Sequence, residues 1–326
     1  SPRALLASPR IAQRAAGRPL QLLASPWSPP AWMKTNDRMD DGGRLKPECR
    51  AVWAQCFVRF IRAYQAEGVP IWGVSVQNEP MAQQRWESCL YTAEEERDFV
   101  RDHLGPALRE AGLGDVKIVV WDHNRDLMVE RARVIYSDPQ AAAFVWGTGF
   151  HWYGPENFEH VQQVHDAWPD KHLLFTEGCQ EGGPHIGSWE VGERYARNVI
   201  ADLNRWTVGW IDWNLLLDEH GGPNHVGNFC SAPVLADAAR GELLHQSGYW
   251  ALGHFARFIR PGARRALCVA TPDIDATAFV DDAGSATVVV SNRRDDELRF
   301  ALCIAGSSSV IELPPRSIGT LLFCPP

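Results

Sequence analysis

The sequence lacks several features that would each point to a function class. No basic run exceeds two residues, and 32 Lys and Arg stand against 40 Asp and Glu, a net charge of −8. A surface built mainly for nucleic acid or anionic membranes is thereby excluded. No stretch approaches the roughly 18 apolar residues of a membrane-spanning helix. The opening SPRALLASPRIAQRAAGRP has no apolar run of about 7–15 residues, so it reads as a helix ending near Gly17 rather than a signal peptide. The eight cysteines form no CxxC and stand at no zinc-like spacing with His. Several lie in apolar contexts such as CFVRF and FALCI, where a buried small hydrophobe is expected. There is no G-x-S-x-G elbow, phosphate loop or dinucleotide motif. Gly-rich EGGPH (181–185) and EHGGPNH (219–225) read as loops bordering a site.

What is present is a chain of 326 residues, 45% hydrophobic and 22% charged, ample for a large core. Apolar runs at 20–27, 71–80, 116–124, 144–153, 172–178 and 208–217 are continuous rather than alternating, as in strands covered on both faces. Helical spacing lies between them. Val52, Cys56, Phe57, Phe60, Ile61 and Tyr64 form a stripe that stops at Gly68. Thr92 and Glu95 predict a capping box, and Gly105-Pro106 predicts a kink or helix end. This alternation predicts a parallel α/β architecture. From about residue 262, short strand-like runs separated by turn residues predict an antiparallel β module. The expected domains are therefore 1–261 and 262–326, packed together without a linker.

Polar groups gather where the apolar runs end: Trp27, Asn78-Glu79, Asp122-His123-Asn124, His151-Trp152-Tyr153, Glu177 and Asp212-Trp213-Asn214. In a parallel barrel or sheet these ends share one face, the face that carries chemistry. Glu79 and Glu177 are two carboxyls at two strand ends. Such a pair is what glycoside hydrolysis needs, one to protonate the leaving oxygen and one to attack the anomeric carbon. Pro80 is expected to hold Glu79 extended. A cap or a salt bridge is the competing reading for either Glu alone. Fourteen Trp against six Tyr and four Met offer flat rings for sugar faces. Trp27, Trp32, Trp152, Tyr153 and Trp213 fall near the strand ends, with Trp27 and Trp213 the expected site walls. Trp53, Trp72, Trp146 and Trp250 are expected in core or helix packing. His123 and His151 have no third metal ligand at a recognisable spacing, so no metal is expected. Cys179 has no partner His to make it a nucleophile.

The segments LLASPWSPPAWMKTN, VQNEP, GFHWY, FTEGC, DWNLLLDEHGGPN and LGHFARFIRPG, in that order, resemble glycoside hydrolase family 30, in particular its glucosylceramidase branch. The resemblance implies a (β/α)8 TIM-barrel type α/β fold, here with strands three to eight, and a C-terminal antiparallel β-sandwich side domain. It implies Glu79 as acid/base, Glu177 as nucleophile, and Trp27, Asn78, His151, Tyr153, Trp213 and Asn228 as sugar-binding residues. Cys179 matches a position beside the nucleophile. Nothing here matches the family's first two barrel strands or a sugar-binding Asp they carry. With Ser rather than Met at the start, a part of a longer chain is favoured over a degenerate copy.

The implied reaction is retaining hydrolysis of β-glucosides such as glucosylceramide, with no cofactor and a carbohydrate or glycolipid as partner. The second carboxylate and partial burial are expected to raise Glu79 and keep it protonated. β-1,6-Glucanase, β-xylosidase or β-fucosidase activity, and a non-catalytic carbohydrate-binding role, are the alternatives. The leaving-group subsites fall on loops at 36–48, 81–90, 180–190 and 218–230. Location is secreted or periplasmic if a signal peptide precedes Ser1, and otherwise cytoplasmic.

Overall fold

A computed structural model describes residues 2–271, 274–304 and 306–324. The chain divides into two compact units, Ser1–Glu177 and Gly178–Pro326. Among the described residues no helix is long and apolar enough to cross a membrane.

The first unit opens on helix α1 (Pro2–Ala16), closed by Gly17 at φ 63°, the left-handed turn a helix end favours. Strands and helices then alternate. They are β1 (Leu23–Ala24), α2 (Arg50–Ala66), β2 (Gly73–Ser75), α3 (Ala93–Phe99) and α4 (Gly105–Glu110), then β3 (Lys117–Asn124), α5 (Met128–Tyr136) and α6 (Pro139–Ala142), then β4 (Val145–His151), α7 (Phe158–Ala167) and β5 (His172–Glu177). Each strand pairs in parallel with the next, for example Val74 with Ile118, Val120 with Thr148 and Phe150 with Phe175. The run expected at 20–27 keeps only two paired residues, Leu23 and Ala24, because Pro26 lies within it, Pro29 and Pro30 follow, and prolines cannot donate to a ladder.

Helix α2 forms as its spacing predicts but is turned. Trp53, Ala54, Phe57, Val58 and Ile61 are buried, whereas Val52 and Phe60 are exposed. Two apolar stripes coexist in this segment, and the outer one closes on itself through Phe60 and Tyr64, ring centroids 4.4 Å apart. The capping box of α3 is complete, with the Glu95 N–H donating to Thr92 Oγ1 and the Thr92 N–H to Glu95 Oε2. Gly105-Pro106 does not end the helix. The backbone widens through a π turn at Val100–Leu104 and continues as α4, with Gly105 against the Phe144 ring.

Gly147 brings β4 tightly onto β5, where a Cβ would collide with the His172 carbonyl. Both partners are backbone in a ladder, so neither can swing aside. Gly147→Ala should therefore cost about 3 kcal/mol, at the upper end for overpacking, read as a lowered denaturation midpoint.

The second unit contains α8 (Trp189–Leu203), β6 (Thr207–Trp210), β7 (Leu216–Asp218), β8 (Val234–Asp237), β9 (Glu242–His245) and α9 (Ser247–Ala256). The run at 208–217 is not one strand. It breaks after Trp210, Trp213 N–H turns to the Gly178 carbonyl, and Leu216–Asp218 pairs instead with β8. Strands β10 (Arg264–Ala266), β11 (Asp275–Val280), β12 (Ala286–Asn292) and β15 (Ser317–Phe323) form one antiparallel sheet, and β13 (Leu298–Ile304) pairs with β14 (Ser307–Leu313). Val288, Val290, Leu298 and Leu313 pack between them. The β module also meets α8 and α9 directly, through Val289, Ile318, Val199 and Phe255. FALCI misleads at Cys303, which is exposed, because β13 alternates inward and outward.

Candidate active site

Four strand ends of the first unit converge chemically. β2 leads into Asn78 and Glu79, β3 carries Asp122 and His123, β4 ends at His151 with Tyr153 beyond, and β5 ends at Glu177. Their aim depends on backbone that leaves ordinary strand geometry. Glu79, Trp121 and Asp122 have φ of 47°, 72° and 51°, a region that costs non-glycine residues energy and clusters at functional sites. Glu79 is thus left-handed, not extended as the following Pro80 predicts. The Glu79 N–H donates to the Asp122 carbonyl at 2.9 Å, fixing the two turns against each other. β3 is bulged between Trp121 and His123. The bulge is held by buried Glu96 of α3, whose Oε1 accepts the Trp121 N–H at 2.8 Å while its Oε2 faces Arg131 at 3.5 Å.

His151, fully buried, bridges two carboxylates. Its Nε2 is 3.0 Å from Asp122 Oδ1 and its Nδ1 3.3 Å from Glu79 Oε1. Burial disfavours its charge, but the Glu177 charge and the hydrogen bonds to Asp122 and Glu79 outweigh burial, and its pKa rises to about 10. It is an imidazolium donating at both nitrogens. Asp122, to which the sequence assigned no role, is thereby the anchor of the ring. His123 faces the same Glu79 oxygen, Nδ1 to Oε1 3.8 Å.

Glu177 accepts the Tyr153 hydroxyl at 3.0 Å. Burial raises its pKa to about 7; the His151 charge opposes the rise, and the Glu79 charge adds to it. The two carboxyls are therefore electrostatically one site. Glu79 departs from expectation. Burial pushes it up, but the hydrogen bond and charge of His151 pull it further down, leaving it below the ordinary Glu range. The second carboxylate acts, but a cation bonded directly to Glu79 wins. Removing the Tyr153 donor should raise Glu177 further. Tyr153→Phe is expected to move its titration up by on the order of one unit, seen as an acid limb of kcat/KM displaced to higher pH.

Asn78 is buried and its N–H donates to the Pro26 carbonyl, while Gln77 Nε2 donates to the Trp27 carbonyl, so β2 and the Trp27 segment are tied together. Trp152 is not a site ring. It is 3% exposed and packs edge-on against Phe175, centroids 5.8 Å apart. Trp72 and Trp146 pack on each other as expected, Trp53 is buried, and Trp32 is exposed. In the second unit Trp213 and Asn228 lie in exposed segments, Cys179 is buried, and Trp250 is exposed rather than in the core. The Gly-rich loops there are tied by Gly183 N–H to the Phe229 carbonyl and by the pairing of Glu181 with Cys230.

Residues 6–259 match the family description "Glycosyl hydrolase family 30 TIM-barrel domain", and residues 262–321 match "Glycosyl hydrolase family 30 beta sandwich domain". The chain is 36% identical over 323 residues to putative glucosylceramidase 3 of Caenorhabditis elegans, covering 93% of this chain and 62% of that protein. It is 30% identical to the endo-1,6-beta-D-glucanase of Neurospora crassa over 285 residues, 85% of this chain and 57% of that protein. It thus spans less than two thirds of the length of either. The crystal structure of SrfJ from Salmonella typhimurium superposes with a TM-score of 0.93 at 38% identity, covering 97% of this chain and 71% of that one.

Proposed function

The chain belongs to glycosyl hydrolase family 30, and from that premise we propose that it is a retaining β-glycosidase that cleaves β-glucosides such as glucosylceramide. The observation that carries the reading is the pairing of Glu79 and Glu177 across His151 at parallel strand ends, close enough for the Glu79 charge to raise Glu177. Glu177, ionised, attacks the anomeric carbon, and Tyr153 steadies the attacking carboxylate. Glu79 delivers a proton to the departing oxygen and then takes one from water. The proton it delivers comes from its hydrogen bond with His151, whose other nitrogen remains on Asp122. Carboxyls about 5–5.5 Å apart suit this double displacement, and Trp27, Asn78, His151 and Tyr153 are the proposed sugar contacts in the first unit.

Trapping tests the reading. A 2-deoxy-2-fluoro-β-glucosyl fluoride should leave a glycosyl adduct on the Glu177 peptide by mass spectrometry, and NMR should show the β-anomer released first. An adduct elsewhere, or the α-anomer first, rejects the mechanism. The fungal relative makes β-1,6-glucan the second substrate reading. Initial rates on glucosylceramide and on β-1,6-linked glucose oligomers separate the two.

A further inference from the structure

His123 and His151 lack a third metal ligand in sequence spacing, but the fold supplies one from another strand. One oxygen of Glu79 and one ring nitrogen of each His lie within 4.8 Å of one another. We propose that Glu79, His123 and His151 form a binding site for a divalent transition ion of the zinc type, and that the bound ion blocks the hydrolase. The ion would sit on Glu79 Oε1, between Glu79 and His151, and so occupy the oxygen that must face the departing group.

The two edges at Glu79, the outer contacts and the donor chemistry agree. Ligands 2.0–2.1 Å from a tetrahedral ion lie about 3.3 Å apart. The His151 Nδ1 to Glu79 Oε1 distance is 3.3 Å, and the His123 Nδ1 to Glu79 Oε1 distance is 3.8 Å. Behind His151, Asp122 Oδ1 holds Nε2 at 3.0 Å, the carboxylate that commonly orients a ligating imidazole and leaves its other nitrogen for the ion. His123 Nδ1 is buried and has no hydrogen-bond partner among the described residues, although buried polar atoms ordinarily find one. The ring is held between Trp121 and His151, centroids 5.1 and 6.3 Å away, and that packing turns Nδ1 toward Glu79. Two imidazoles and one carboxylate suit zinc, copper or nickel rather than calcium or magnesium, which take oxygen. Three protein ligands leave the fourth position for water. His123 and His151 stand at the ends of paired strands, and Glu79 is tied to them by its N–H to the Asp122 carbonyl, so little ordering remains to be done on binding.

The blocking effect rests on Glu79 being the acid/base; the binding does not. Cobalt(II) chloride titrated into the full chain should give the visible absorption of one four-coordinate ion, displaced by zinc chloride. His123→Asn should weaken cobalt binding at least about a hundredfold, and Asp122→Asn about 10–100-fold, with circular dichroism verifying that each variant is folded. Micromolar zinc should stop 4-nitrophenyl β-glucoside hydrolysis, and EDTA should restore it. No saturable cobalt spectrum, or binding indifferent to both substitutions, overturns the site. Cobalt bound with hydrolysis undiminished overturns the blocking. A chain that binds cobalt yet hydrolyses no β-glycoside in metal-free buffer supports the site and rejects the hydrolase reading instead.

Discussion

Glu177→Gln should reduce kcat/KM on an aryl β-glucoside by at least about a thousandfold, since removing a covalent nucleophile removes the intermediate itself. The same change should stabilise the protein at alkaline pH. Glu177 is buried, and its pKa is raised from an ordinary 4.5 to about 7. A group raised on folding contributes stability that is fully present below its unfolded value, near 4.5, and is lost as pH rises through about 7. At pH 8 the ionised carboxylate therefore weighs against the folded state. At 1.36 kcal/mol per unit the cost is about 3 kcal/mol. Glutamine keeps the shape of the protonated acid and carries no charge. The variant should melt several degrees above the parent at pH 8 and within a degree or so of it at pH 4. Equal melting at pH 8 would show that Glu177 is not held against its own ionisation. Retention of even a tenth of the parent rate would remove it from the chemistry.

The residues that carry this argument were visible in the sequence to unequal degrees. Glu79, His151, Tyr153 and Glu177 each end a continuous apolar run, and a parallel sheet places such ends on one face; one-dimensional pattern therefore located them. Protonation was not legible. Burial and a neighbouring carboxylate are inferable from position, but the contact that lowers Glu79 is a cation formed only because Asp122, Glu79 and Glu177 surround His151. That requires four strands in register and a bulge in β3 set by Glu96 on a different element. Trp152 turned inward for a related reason: a ring at a strand end points inward or outward by residue parity, and an irregular end hides the parity. Trp250 stands on the outer side of helix α9, where apolar composition alone does not mark which face is covered. The continuous apolar character of 208–217 likewise concealed a break, because composition marks burial and not which strand a segment joins.

The two carboxyls are distinguished most sharply by what replaces them. Glu79→Ala should lower kcat about 10²–10⁴-fold on a substrate whose leaving alcohol is as poor as the alcohol of a lipid. With a 2,4-dinitrophenyl glycoside, whose phenolate departs without protonation, kcat/KM should fall much less, while kcat stays low because the glycosyl-enzyme still lacks its base. Added azide fits the space vacated by the carboxylate and attacks the glycosyl-enzyme from the face where water would enter. The product is the β-glycosyl azide. In Glu177→Ala the same anion enters from the opposite face and gives the α-azide. This contrast matters because resting protonation favours the reverse assignment, with Glu177 raised and Glu79 lowered. The proton on His151 reconciles the two. It is already bonded to Glu79 Oε1 at 3.3 Å, and a substrate that excludes water while bringing a basic leaving oxygen draws it through Glu79. Glu177 bonds to a tyrosine hydroxyl, which supports a carboxylate and supplies no comparable acid. A β-azide from Glu79→Ala and an α-azide from Glu177→Ala fix the roles as stated, and the opposite pair of products exchanges them.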